Sequence, residues 1–158
     1  MRKDKTMIYL EQMETAYNNI EKSNKEIDNK SFTMIGIIGV MLTLQATLFP
    51  YQNIHPWFIK VLFIISIITY GIAITFFTTV VFARDFEIFP NSEGVKKEYE
   101  KDTPDDEFIA KCTGSYYRAA EYNNNIIRSK GKPLKRGFYS FFTGIITTII
   151  MISLILLL

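Results

Sequence analysis

VLFIISIITYGIAITFFTTVVFA, Val61 to Ala83, decides the fold, because these residues hold no Asp, Glu, Lys, Arg or His. About 20 helical residues at 1.5 Å per residue cross the roughly 30 Å hydrocarbon core of a bilayer. Working outward, Phe32–Phe49 and Phe138–Leu158 are equally free of ionisable groups. A soluble helix of this length keeps a polar face, since a globular domain offers one core to turn an apolar stripe toward. None of the three stretches has such a face. The chain therefore reads as an all-α integral membrane protein with three transmembrane helices. Residues 32–83 form two spans joined by a short external turn, 138–158 the third, and 1–31 and 84–137 cytoplasmic helical regions.

Charge sets the orientation. The net charge of +2 says little as a total. Its distribution says more: residues 1–31 carry six Lys/Arg and 84–137 carry eleven, while the connection Pro50–Lys60 carries only Lys60. Lys and Arg flanking short spans stay cytoplasmic. This places the amino terminus and the second connection in the cytoplasm, with the carboxyl terminus outside, in a multi-pass protein of the inner membrane. No cleavable signal precedes the first span, which is its own insertion signal. Cys112 is alone and reads as a small packed hydrophobe.

From Asp4 to Phe49 there is no Gly before Gly36 and no Pro before Pro50, so the first cytoplasmic region and the first span are expected to form one helix. Met13, Tyr17, Ile20, Asn24 and Ile27 alternate by four and three, an apolar seam broken by one Asn. A second cytoplasmic helix should start at Thr103-Pro104-Asp105-Asp106-Glu107, where proline opens the helix and three acids meet its positive end. It should stop at Gly131-Lys132-Pro133. Its face of Phe108, Ile109, Cys112, Tyr116, Ala119, Ala120, Asn123 and Ile127 is expected to pack on the seam. Val95–Lys101 reads as a short polar helix. Asn18-Asn19-Ile20 is echoed by Asn124-Asn125-Ile126, either by chance or as a pseudo-repeat whose Asn side chains bond across the seam.

Little in the chain resembles a catalytic site. His55, the single histidine, sits beside Pro56 and Trp57 and fits the interfacial aromatic belt better than acid–base work. There is no Cys/His cluster for a metal, no nucleophile elbow and no phosphate loop, so neither an enzyme nor a cofactor is expected. Spans without ionisable residues also disfavour proton-coupled transport. They do carry small and hydroxyl residues at four-residue spacing: Gly36, Gly39 and Thr43; Gly71, Thr75 and Thr79; Thr143, Gly144, Thr147 and Thr148. These either pack helix on helix or, with Gln45, line a water-filled passage. The residues Gln45, Thr75, Thr79, Thr143 and Thr147 are the candidates for that role. Three helices cannot enclose a pore, so a channel requires a homo-oligomer, with four copies the simplest.

Arg128, Lys130, Lys132, Lys135 and Arg136 place five cations within nine residues just before the third span. They serve either as an orientation signal that touches anionic membrane lipids, or as a ligand-binding site for a phosphate-bearing ligand, helped by backbone NH groups freed where Gly131 and Pro133 break the helix.

A long amino-terminal helix, paired spans with a short external turn and a polar cytoplasmic helix together resemble the SLATT-type membrane effectors of bacterial anti-phage systems. Those are nucleotide-signalling cousins of the CBASS group, and the channel effector of the Hailong system has a similar plan. The third span departs from the two-span SLATT layout, and no motif positions transfer. The resemblance implies a homo-oligomeric pore controlled by a nucleotide-derived ligand made by a partner nucleotidyltransferase. In the Hailong version that ligand is a single-stranded DNA oligomer. A non-conducting regulatory subunit and a holin-like permeabiliser are the other readings.

Overall fold

The computed structural model describes residues 5–48, 56–82 and 104–157. They form three helices: α1, Lys5–Leu48; α2, Trp57–Val81; and α3, Asp105–Leu157. All three are long and apolar enough to cross a membrane. The protein is thus an all-helical membrane protein, as its three uncharged stretches require. His55, the external turn up to that residue, the Arg84–Pro90 exit and the Val95–Lys101 helix lie outside the described residues.

α1 is continuous across the start of the first apolar stretch, as the lack of early Gly and Pro predicts. α2 opens with the amide of Ile59 donating to Pro56 O and closes with Phe82 N–H donating to Thr78 O. α3 begins with Asp105, Asp106 and Glu107 in its first turn, and the amides of Glu107 and Phe108 both donate to Pro104 O.

The expected stop at Gly131-Lys132-Pro133 is absent: α3 is one helix of 53 residues with Pro133 inside it. Proline cannot donate to the carbonyl four residues back, here that of Ser129. Tertiary contacts on both sides of the gap keep the helix in register. Lys130 is tied to Asp28, and Leu134 and Phe138 pack against the cluster of Ile38, Tyr70, Ala73, Phe77 and Phe141.

The chain divides into two compact units, and α1 and α3 each contribute to both. Unit 1 contains residues 1–26 and 84–129; unit 2 contains 27–83 and 130–158. In unit 1 Tyr17 is buried against Ala119 and Ala120, with Ile20 and Tyr116 around them. The rings of Tyr17 and Tyr116 meet edge to face at 5.8 Å. The seam of α1 therefore does pack on the predicted face of α3. Asn123 is fully buried, whereas Asn18, Asn19 and Asn125 are exposed, so these three do not bond across the seam.

Unit 2 has two apolar layers. One is the cluster around Tyr70 and Phe77; the other joins Ile59, Phe63 and Met151. Phe77 and Phe138 pack edge to face at 5.4 Å. α2 and α3 approach closely because two glycines of α3 admit rings. A Cβ added at Gly137 would lie 3.0 Å from Phe77, and one at Gly144 only 2.7 Å from Tyr70.

Candidate functional site

Between the two apolar layers of unit 2 sits a polar node. Gln45 on α1 is fully buried, and its amide nitrogen donates to Ser66 Oγ at 2.9 Å and to Thr148 Oγ1 at 2.6 Å. Each hydroxyl gives its own proton to a backbone carbonyl, Ser66 to Phe63 and Thr148 to Gly144. Both can therefore only accept from the amide, which fixes its orientation. Tyr70 Oη, 3.2 Å from Thr148 Oγ1, is then the donor of that contact. The node joins all three helices through side chains.

Gln45 Oε1 is buried with no hydrogen-bond partner among the described residues. Interhelical bonds inside membranes average about 0.6 kcal/mol, while an orphaned buried acceptor costs about 1–3 kcal/mol. The two effects roughly offset. The amide therefore fixes the register of the three helices without adding much stability.

The other residues singled out as a passage are not gathered in one place. Thr147 is buried, whereas Thr75, Thr79 and Thr143 are exposed. All four hydroxyls bond back to their own helix, Thr75 to Gly71 O and Thr79 to Thr75 O, Thr143 to Tyr139 O and Thr147 to Thr143 O. Gly36, Gly39 and Gly71 have no described residue within 4 Å of where a Cβ would stand. Gly137 and Gly144 of α3 thus serve packing within the chain, whereas Gly36, Gly39 and Gly71 meet no described side chain.

The basic run is also split. Arg128, Lys132, Lys135 and Arg136 are exposed, and Lys135 lies 5.7 Å from the centre of the Tyr139 ring. Lys130 is buried, with its ammonium 2.7 Å from Asp28 Oδ1. At 3.6 residues per turn, Lys130 points about 200° away from both Arg128 and Lys132 on an unbroken helix. The helix break assumed in grouping all five cations hid this. No backbone NH groups are freed at Gly131 and Pro133, since α3 runs through them. Asp28 could not be foreseen as the partner, being 102 residues distant in sequence.

Unit 1 contains two adjoining grooves that sequence reading missed. One, of about 400 Å³, is lined by Tyr9, Ala110, Thr113, Gly114 and Tyr117. The other, of about 540 Å³, is lined by Glu107, Ala110, Lys111, Gly114, Ser115 and Arg118. They share Ala110 and Gly114. Tyr9 and Tyr117 are about half exposed. Nearby, burial first and the Glu14 carboxylate second push the Tyr116 hydroxyl above its ordinary pKa, with Cys112 and Tyr17 adding to the effect.

A family model described as the Pycsar effector protein domain, PycTM, matches residues 12–157 and so takes in nearly all of α1, all of α2 and all of α3. The chain belongs to the Pycsar effector family. No curated protein and no solved structure matches it. As a Pycsar effector it is a membrane effector of anti-phage defence, and Pycsar effectors work with cyclic nucleotide signalling systems. The resemblance to anti-phage membrane effectors holds at that level.

Proposed function

We propose that the protein assembles as a homo-oligomer, most simply of four copies, and forms a pore in the inner membrane that a cyclic nucleotide controls from the cytoplasm. The observation that carries this reading is the continuity of α1 and α3. Each belongs both to a unit built of polar helices and to a unit built of spans, so a ligand that shifts either helix in the first acts on the second through unbroken backbone. On this reading 1–31 and 84–137 are cytoplasmic, 32–83 and 138–158 lie in the membrane, and the carboxyl terminus is outside. The exposed faces of Gly36, Gly39 and Thr43 and of Gly71, Thr75 and Thr79 meet neighbouring copies, with Thr143 beside them. Arg128, Lys132, Lys135 and Arg136 give the cytoplasmic mouth a positive field that attracts a phosphate or a lipid headgroup, while Lys130 is held by Asp28.

The test is ion flux through liposomes that contain the purified full-length protein, with and without 3′,5′-cyclic nucleotides in the bath. A flux that changes with a cyclic nucleotide supports the reading. Flux indifferent to every nucleotide identifies a holin-like permeabiliser, and no flux under any condition identifies a regulatory subunit. A response to a short single-stranded DNA and to no cyclic nucleotide would replace the ligand with the Hailong-type one. A monomeric mass in detergent would remove the pore.

A further inference from the structure

We propose that the paired grooves at Gly114 bind a single mononucleotide, with the base between Tyr9 and Tyr117 and the phosphate at Arg118. The inference rests on the cyclic-nucleotide reading above and adds where the ligand sits.

Three observations carry it. First, Gly114 stands inside a long helix, where glycine is less favourable than alanine, and a Cβ there would meet no described residue within 4 Å. No packing among the described residues requires the missing side chain. The space it leaves is the shared floor of both grooves. Second, Tyr9 from α1 and Tyr117 from α3 line the more apolar groove, and both rings are about half exposed. Exposed aromatic rings are what nucleobases stack on, and they accept any base because every base has a π-face. A groove of about 400 Å³ is near the lower end of the range for small-ligand sites. It suits one base with its ribose better than a dinucleotide.

Third, the adjoining groove supplies one uncompensated charge. Lys111 is paired with Glu107 at 3.1 Å, which leaves the wall at that point neutral. Arg118 forms no ion pair among the described residues. A cyclic mononucleotide carries one negative charge, which a planar guanidinium can take in a bidentate contact. Ala110 and Gly114 allow the ribose to pass between the two grooves. Because Tyr9 is on α1 and Tyr117 on α3, a base between them ties together the two helices that unit 1 shares with unit 2.

The test is equilibrium titration of the full-length protein in detergent with the 3′,5′-cyclic monophosphates of adenosine, guanosine, cytidine and uridine. Gly114→Leu, which fills the floor, should abolish binding. Tyr117→Ala and Arg118→Gln should each weaken it by about tenfold or more. Gly114→Ala controls for folding and should melt no lower than the wild type. If the wild type binds and all three variants bind equally well, the groove proposal fails and nucleotide control stands. Loss of binding only in Lys132→Gln/Lys135→Gln/Arg136→Gln would move the site to the basic run and overturn the proposal. If the wild type binds none of the four, both readings fail together. A Gly114→Leu variant that keeps its affinity but changes mass would assign the groove to a second copy of the chain instead.

Discussion

Gly114 and Gly144 lie on the same helix in different units, and the two positions do opposite things. At Gly144 the chain uses the missing side chain itself: Tyr70, fully buried, occupies the space at 2.7 Å. At Gly114 no atom of the described residues comes within 4 Å of where a Cβ would stand. The contrast extends to the units around them. Unit 2 is filled by its own rings, closed by the Gln45 node and bounded by a buried ion pair. Unit 1 is held by the small cluster around Tyr17 and carries open grooves. The part built from spans fills its own interior, and the part outside them carries open grooves among its described residues.

The largest test of that contrast is at the edge of unit 2. Lys130 is almost wholly buried with its ammonium on Asp28, so Asp28→Asn takes a carboxylate away from a buried charge. Breaking a buried pair this way costs about 3–5 kcal/mol, which thermal unfolding in detergent should register as a marked loss. Asp28 itself is 25% exposed, so Lys130→Met, which leaves a carboxylate that water can reach, should cost less. Equal and small losses from both would show that the pair contributes little.

Gly144→Ala comes next. The added methyl would press on Tyr70 and on Thr69 Oγ1, and overpacking of this kind costs about 1–3 kcal/mol. Gly114→Ala should do the reverse and stabilise the protein by up to about 1 kcal/mol, since it removes a helix-interior glycine without a clash. Two identical substitutions on one helix should thus move the melting temperature in opposite directions. Shifts of the same sign would erase the distinction between the units.

The spans and the seam were legible because both are local signals. A missing charge over twenty residues and an apolar repeat of four and three are read without knowing any partner. The course of α3 through Pro133 was not legible. Proline ends helices by default, and what overrides it here is packing by Leu134 and Phe138 and the tie from Lys130 to a residue on another helix. The basic run was misgrouped for the same reason, since adjacency in sequence matters only if the helix breaks. The grooves at Gly114 escaped notice because Tyr9 lies more than a hundred residues from Gly114, and no short motif joins them.

The smallest expected effect concerns Tyr116 in unit 1. Its hydroxyl titrates above the ordinary tyrosine value because burial and Glu14 disfavour the phenolate. The folded chain then holds this proton more tightly than the unfolded chain does. Its contribution to stability is complete below about pH 10, the unfolded value, and is lost as the pH rises through the folded one. Comparing the ultraviolet phenolate titration of the wild type with that of Tyr116→Phe should reveal one tyrosine ionising late. A difference curve centred at or below the ordinary value would contradict this.

Pro133 has a mechanical consequence. With no proton on its nitrogen, α3 lacks one rung of its ladder, at the carbonyl of Ser129, and unit 1 ends at that same residue. A rod missing one rung bends most easily there, while it resists twist and stretch almost as before. Pro133→Ala, which restores the missing N–H, should stiffen α3 at this point and slow amide exchange in the turn around it.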